Sequence, residues 1–324
     1  MTDERPGFSA GHVHPGEPRT YPRRRRPDKG LLTPKPVPDD TSSTLRPHPF
    51  RVRGGPDGLD RRGVVGAASG MSDHQEAAPD DGSAGTTPLD RLGVLAVQTV
   101  SVDEHLDHVE LYTTEGLLTL LWHGPTSPDA TTPRRRVVVC VGGAMGGLLG
   151  PDGGLYHQLG RALVAEHDIG LIRVGYRRPN HLPTCVHDTL AAMELASRRG
   201  ADRFVTLGHS FGGAVAIQAA AHLEPVTVPG VVTFATQSAG CEPVELLADR
   251  QLLLFHGTAD TILPHHSSEL VRMLAGAGEL VLLPGADHLL HPAGPEVLSR
   301  LLDHLPRVLG GGGPTPPPGS PPER

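Results

Sequence analysis

Residues 202–220, DRFVTLGHSFGGAVAIQAA, contain the pattern that decides the fold. An apolar run with strand character ends at Gly208, and an alanine-rich run with helical character begins at Gly212. A G-x-S-x-G motif therefore lies where a buried strand passes into a helix. Such a turn holds its serine on a strained backbone above the sheet, and the glycines remove side chains that would collide there. The motif predicts that Ser210 is a nucleophile.

A serine hydroxyl becomes a good nucleophile only when a positioned base takes its proton. Asp260 follows an apolar strand in LLLFHGTADTILP, and His288 follows another in ELVLLPGADHLLH. The chain order Ser, Asp, His predicts His288 as the base and Asp260 as the acid that orients it. Asp287 is the weaker candidate for the acid, because adjacent loop residues rarely point at each other.

The chain around this motif alternates apolar strands with amphipathic helices, which predicts a doubly wound, mostly parallel α/β sheet. Two early stretches, GVLAVQTVSV and VELYTTEGLLTLLWH, predict an antiparallel lead-in. The predicted parallel strands are RRVVVCV, IGLIRVGY, DRFVTLG, GVVTFA, QLLLFHG and ELVLLPG. The predicted helices are YHQLGRALVAE, CVHDTLAAMELASRR, GGAVAIQAAAHL, SSELVRMLAGA and GPEVLSRLLDHL.

Through GHSFGG, HGTADTILP and PGADHLLH, residues 92–309 resemble the α/β-hydrolase family. Within that family the pattern is most similar to small esterases and dienelactone-hydrolase-like members. The resemblance implies an α/β-hydrolase fold and an acyl-enzyme on Ser210, with no metal or organic cofactor. Only about sixteen residues, TQSAGCEPVELLADRQ, separate two strands where many members insert a helical cap. We therefore expect no large cap and an open site.

Acyl transfer also needs hydrogen-bond donors for the oxyanion. The resemblance implies the backbone N–H of Phe211 as one donor. The glycine-rich residues 142–147 stand where the family has its HGxxG loop, which implies Ala144, or next Met145, as the second donor. Gly142 replaces the family's usual histidine. The same glycine run fits neither G-x-G-x-x-G nor a P-loop, because its glycine spacing is wrong and no lysine follows.

We expect the substrate to be a small ester, lactone or related acyl compound. The candidate substrate-binding residues are Gly143, Leu148, Leu149 and His209, and the side chains of Met145 and Phe211 are expected to line the pocket. Cys241 is a further candidate for its wall. An acyltransferase or a cofactor-free perhydrolase would use the same residues. A non-catalytic binding protein with proline-rich ends as partner ligands is the alternative from another class.

Metal binding is not predicted. His181, Cys185 and His187 lack the ligand spacing of a zinc site and are better explained as the start of a helix. Cys140 lies in an apolar strand and is predicted to be a core residue. The remaining histidines near the motifs, His265, His266 and His291, are expected at the loop surface or in the pocket lining.

Composition divides the chain into three parts. Residues 1–88 and 310–324 are rich in glycine, proline and charge without a regular apolar period, which predicts disorder on both sides of a domain at 89–309. A leader-like segment beginning at Met71 suggests that translation could start there. The formal charge of −7 disfavours nucleic acid as a partner. Three cysteines and the lack of a long apolar run predict a cytoplasmic protein without a membrane span, and the oligomeric state stays open.

Overall fold

The computed structural model describes residues 86–124 and 135–310. The predictions of disorder and of a start at Met71 concern segments that lie almost wholly outside these residues. The described residues form a nine-stranded sheet with helices on both faces. Within them, no helix is both long enough and apolar enough to cross a membrane.

The sheet has the spatial order β1-β2-β3-β5-β4-β6-β7-β8-β9. Its strands are β1 (Val94–Asp103), β2 (Leu106–Thr113), β3 (Gly116–His123), β4 (Arg136–Val141), β5 (Gly170–Gly175), β6 (Arg203–His209), β7 (Gly230–Phe234), β8 (Gln251–Gly257) and β9 (Glu279–Leu283). The pairs β1–β2, β2–β3 and β3–β5 are antiparallel, and all other neighbours are parallel. This arrangement confirms the predicted mostly parallel sheet with an antiparallel lead-in.

The second early stretch, VELYTTEGLLTLLWH, contributes to two strands, β2 and β3. The chain turns back between β2 and β3, where Gly116 has a φ of 123°. The Thr113 hydroxyl secures the turn by accepting from the N–H of Glu115 at 3.2 Å and donating to the carbonyl of Gly116 at 2.7 Å. Both strands contain leucine and β-branched residues, so the amino-acid composition does not mark the turn between them.

Helices cover the two faces of the sheet. They are α1 (Pro88–Arg91), α2 (Leu155–His167), α3 (Leu182–Arg198), α4 (Phe211–Ala221), α5 (His266–Ala275) and α6 (Gly294–Gly310), with a 3-10 helix at Glu242–Leu247. Buried side chains of α2 and α6 pack with one face. Those of α3, α4 and α5 pack with the other. All five predicted helices are present.

The short helix α1 was not predicted, although its sequence carries a signal. Thr87 and Asp90 form a reciprocal capping box around Pro88. The helix is tied to α3, because the N–H of Leu89 donates to the buried carboxylate of Glu194 at 2.7 Å. The helix itself has only four residues, which is too short a stretch for a helical period to be recognised in the sequence.

The strand order reverses around β4, which pairs with β5 on one side and β6 on the other. Loops that leave the carboxyl ends of such neighbouring strands diverge toward opposite faces of the sheet and leave a crevice between them. The glycine run follows β4 and Ser210 follows β6. The topology therefore brings the two motifs together at one edge of the sheet.

Replacing Leu301 with alanine tests the packing of α6. The Leu301 side chain is 0% exposed, so its truncation should lower the free energy of unfolding by about 2–4 kcal/mol. Leu270→Ala in α5 is the matched control, because that side chain is 44% exposed and its loss should cost less than about 1 kcal/mol. Urea denaturation measures both values. Equal losses would contradict the assignment of the α6 face.

Candidate active site

Ser210 lies on a strained turn between β6 and α4. Its φ of 56° and ψ of −119° place a non-glycine residue in a backbone region that is normally avoided. The turn is held by the N–H of Ser210, which donates to the carbonyl of Phe234 at 2.8 Å. A Cβ at Gly208 would collide with the backbone carbonyl of Gly212. The geometry of the turn therefore requires glycine at position 208 and presents the serine at the end of β6.

Asp260 and His288 are in contact, although 28 residues separate them in the chain. Nδ1 of His288 lies 2.7 Å from Oδ2 of Asp260. The Asp260 side chain is fully buried, whereas that of His288 is 17% exposed. Because a carboxylate can only accept, Nδ1 carries the proton, and Nε2 of His288 keeps a free lone pair.

Opposing effects act on the carboxyl group of Asp260. Burial by itself would raise its pKa. Hydrogen bonds from the N–H of Leu263, from His288 and from the N–H of Ile262 outweigh burial and hold the pKa below its usual value. The two backbone bonds end on Oδ1 at 2.9 and 2.8 Å. Asp260 is therefore a fixed anion at neutral pH.

Ser210 and His288 line the same cleft. Among the hydrogen bonds of the described residues, none joins these two side chains. Catalytic hydrogen bonds are often long in a free enzyme and shorten when substrate binds. The structure therefore shows a hydrogen bond between Asp260 and His288. Ser210 and His288 share the cleft without a hydrogen bond between their side chains.

His209 holds the loop that carries His288. Its Nε2 donates to the backbone carbonyl of His288 at 2.9 Å, and the two rings lie 4.9 Å apart. Burial lowers the pKa of His209 to about 4, so the ring is neutral at neutral pH. The carbonyl partner requires the proton on Nε2. His209 also lines the cleft, as expected from the sequence.

The glycine run after β4 folds into a tight turn whose two ends contact each other. The N–H of Gly146 donates to the carbonyl of Gly143 at 2.9 Å. The Tyr176 hydroxyl donates to the carbonyl of Gly142 at 3.1 Å. A Cβ at Gly142 would lie 2.5 Å from the carbonyl oxygen of Gly147. A side chain at position 142 would therefore collide with the loop's own backbone.

The backbone segments near Ser210 contain two N–H groups without an acceptor in the part of the chain that the structure describes, those of Phe211 and Ala144. A Cβ built at Gly143 would lie 3.7 Å from Cβ of Ser210, so the loop passes directly beside the serine. Phe211 is the first residue of α4, where a backbone N–H has no partner within the helix. Within the described residues, no backbone or side-chain acceptor takes up the N–H of Phe211 or of Ala144.

The cleft has a volume of about 450 Å³ and few polar side chains. It is lined by Gly142, Gly143, Ala144, Met145, Gly146, Gly147, Leu148, Leu149, Gly150, His209, Ser210, His288 and Leu289. The four residues that the sequence offered as candidates for substrate binding are among these lining residues, and Leu289 lines the cleft although it was not predicted to. Met145 is 94% exposed and Leu149 58%, so the cleft opens directly to solvent.

Two predictions about the pocket wall are wrong. The Phe211 ring is buried edge-on against Tyr176, with ring centroids 6.4 Å apart, and does not line the cleft. Cys241, at the start of the 3-10 helix, is also buried, and its thiol donates to the carbonyl of Gln237 at 3.1 Å. Both residues follow the ends of strands, and sequence position did not show that their side chains turn toward the core.

The segment between β7 and β8 does not form a cap. It contains only the 3-10 helix, and none of residues 236–250 lines the cleft. The helix packs beside α4 and α5 instead. The described part of the chain therefore agrees with the expectation of an open site at this position.

The other candidates from the sequence lie outside the cleft. His181 caps the start of α3, and His187 contacts the carbonyl of Pro88 at 2.8 Å, as expected of a helix start. Asp287 accepts the N–H groups of Leu289 and His291 within its own loop. The Cys140 side chain is buried in the core. His265, His266 and Glu269 have ligand atoms within 4.8 Å of one another on the surface at the start of α5.

Sequence reasoning missed His256. This residue stands in the quoted segment HGTADTILP, four residues before Asp260, but no role was assigned to it. The structure places its Nε2 3.2 Å from Oδ2 of Asp260. The signal in the sequence was a histidine at the end of an apolar strand, where a buried imidazole needs polar partners.

Comparisons with solved structures agree on the fold. Est1E from Butyrivibrio proteoclasticus is similar with a TM-score of 0.51 and 13% identity, over 66% of this chain and 99% of Est1E. A protein from Agrobacterium tumefaciens, described as an α/β hydrolase of unknown function, is similar with a TM-score of 0.51 and 19% identity, over 64% of this chain and all of that protein. The chain therefore has the α/β-hydrolase fold. No protein-family model matches the sequence, and the comparison with curated proteins found no match.

The glycine run gives a matched pair of substitutions. Gly142→Ala forces a Cβ into the backbone of Gly147 and should lower the free energy of unfolding by about 1–3 kcal/mol. Gly143→Ala meets only contacts at 3.7 Å and should change stability by less than about 0.5 kcal/mol. Thermal unfolding followed by circular dichroism compares the two. A stable Gly142→Ala variant would show that the loop relaxes freely.

Proposed function

We propose that this protein is a serine hydrolase that cleaves a small ester, lactone or related acyl compound. The observation that carries the proposal is the 2.7 Å contact between Nδ1 of His288 and Oδ2 of Asp260, in a cleft that Ser210 also lines. A buried anion on one side of an imidazole leaves the other nitrogen basic and facing the cleft. This is the arrangement that acyl transfer through a serine requires.

In the first half of the reaction, Nε2 of His288 takes the proton of the Ser210 hydroxyl as its oxygen bonds to the acyl carbon. Asp260 stabilises the imidazolium that forms without taking the proton. The tetrahedral intermediate collapses when the bond to the leaving oxygen breaks, and His288 returns its proton to that oxygen. The products are an acyl-enzyme on Ser210 and a free alcohol, or an opened lactone.

The N–H groups of Phe211 and Ala144 hold the developing oxyanion. Phe211 follows Ser210 directly, Ala144 follows Gly143, which lies beside Ser210, and neither N–H has another acceptor in the described part of the chain. Met145 is the alternative to Ala144 because it follows in the same turn. In the second half of the reaction, His288 deprotonates a water that attacks the acyl-enzyme, and Ser210 regains its proton. The open mouth of the cleft favours water as the acceptor.

The substrate is small and carries no charge near the acyl group. Apart from His209, Ser210 and His288, every side chain lining the cleft is apolar or absent. Neither a carboxylate nor a guanidinium lies among these lining residues to select a charged group. The leucines Leu148, Leu149 and Leu289 provide contact for a short apolar acyl or alcohol part. A cytoplasmic location is part of the proposal, supported by three free, buried cysteines.

A fluorophosphonate probe tests the nucleophile. It should label the wild-type protein and the Ser299→Ala control, whose exposed serine lies on α6, but not Ser210→Ala. Ester hydrolysis by Ser210→Ala should fall by about 10³-fold or more, because the covalent route is lost. Mass spectrometry of the labelled protein and steady-state kinetics are the measurements. Undiminished turnover by Ser210→Ala would exclude the proposed acyl-enzyme.

A series of p-nitrophenyl esters tests the substrate class. The volume of about 450 Å³ accommodates short acyl chains but not long ones. We therefore expect kcat/KM to be highest for acetate to hexanoate and to fall by about tenfold or more at palmitate, since so long a chain does not fit within the cleft. Turnover restricted to long-chain esters would contradict the open, lidless site.

A further inference from the structure

Oδ2 of Asp260 accepts hydrogen bonds from two imidazoles. His288 approaches it from the cleft at 2.7 Å, and His256 approaches it from the interior at 3.2 Å. His256 lies at the end of β8 and is fully buried. The candidate acid is therefore shared between the proposed base and a second histidine for which the mechanism gives no role.

The partners of His256 determine its tautomer. Nε2 faces Oδ2 of Asp260 and also the carbonyl of Leu263 at 3.0 Å, and both are acceptors. Nε2 must therefore carry a proton. Burial lowers the pKa of His256, although the carbonyl of Leu263 and Asp260 oppose that effect. The ring is neutral, and Nδ1 accepts the hydroxyl of Ser268 at 2.7 Å.

These bonds form a continuous chain from Ser268 through His256 and Asp260 to His288. Ser268, His256 and Asp260 are the residue types of a catalytic triad, but the Ser268 side chain is fully buried. The ring of His256 is also reversed relative to that of His288, since its Nε2 meets the carboxylate and its Nδ1 meets the serine. Ser268 therefore fixes His256 and does not attack a substrate.

The hydrogen bond from His256 reaches only one oxygen of Asp260, Oδ2. Oδ1 is already held by the N–H groups of Ile262 and Leu263, which fix the plane of the carboxylate. The N–H of His256 is therefore not needed to orient Asp260 as a whole. It draws negative charge from Oδ2, the atom that faces His288.

We propose that His256, held by Ser268, is a positioning residue that limits how strongly Asp260 stabilises protonated His288. This inference rests on the proposed serine hydrolase function. A neutral second donor takes up part of the negative charge on Oδ2 and so weakens its attraction for the imidazolium that forms in the reaction. Without this donor, Asp260 would hold protonated His288 more tightly.

Three variants test the inference. His256→Leu removes the donor with little change of volume. His256→Gln is the conservative variant, because its amide N–H can reach the position of Nε2. Ser268→Ala keeps the imidazole and removes only the hydroxyl that fixes it, so it remains informative if His256→Leu does not fold. The measurements are the pH profile of kcat/KM for p-nitrophenyl acetate and the proton resonance on Nδ1 of His288.

For His256→Leu we expect the plateau of kcat to change by less than about threefold, because the N–H groups of Ile262 and Leu263 still orient Asp260. We expect the acidic midpoint of the kcat/KM profile to move to higher pH by about half a unit, because Asp260 then stabilises protonated His288 more strongly. The Nδ1 proton resonance should shift downfield. Ser268→Ala should show smaller changes in the same directions, and His256→Gln should restore the wild-type midpoint.

An unchanged midpoint in both His256→Leu and Ser268→Ala would overturn the inference, as would a His256→Gln variant that behaves like His256→Leu. The proposed function fails separately, when the fluorophosphonate probe does not label Ser210 in the wild-type protein. The resonance of His288 does not depend on turnover. It therefore tests the link between His256 and His288 even if the protein hydrolyses none of the esters.

Discussion

The close approach of three backbone segments around Ser210 is the constraint on which the site depends. The end of β6, the first turn of α4 and the loop after β4 meet where no Cβ fits at Gly208, Gly212 or Gly142. This crowding forces the serine into a φ of 56° and places the Gly143 backbone beside it. Strain of this kind persists only when the surrounding structure holds it. Here the paired strands and the packed helix α4 supply that support, and the same contact creates one wall of the cleft.

The loop that carries His288 depends on bonds from several other elements. His209 holds the carbonyl of His288, and the N–H of Asp152 donates to the carbonyl of Leu289 at 2.8 Å. Asp260 holds the imidazole itself. Each of these bonds comes from a different segment. The position of the proposed base therefore depends on how several loops at the carboxyl edge of the sheet pack together. A loop held in this way keeps the orientation of the His288 imidazole fixed, although the cleft is open to solvent.

The buried carboxylate links this framework to the proposed chemistry. Asp260 receives two backbone N–H groups on one oxygen and two imidazoles on the other. Burial of an anion is costly unless such donors surround it, and this set satisfies the carboxylate on every side. The exposed end of the arrangement is His288, and the cleft beyond it is lined by apolar groups. Negative charge is therefore concentrated behind the imidazole, which supports the proposed proton transfer from Ser210 to His288.

Apart from the short helix α1 and the turn between β2 and β3, the sequence by itself determined the order of strands and helices along the chain, because apolar periodicity and the G-x-S-x-G turn are local signals. It also identified Ser210, Asp260 and His288 as candidates, since each follows the end of a strand at an expected spacing. Only the tertiary structure decided that His256 shares Asp260, that His209 holds the carbonyl of His288, and that the Phe211 ring and Cys241 face the core. These contacts depend on the direction in which a side chain leaves its loop. That direction is set by packing between segments far apart in the chain, which local periodicity does not encode.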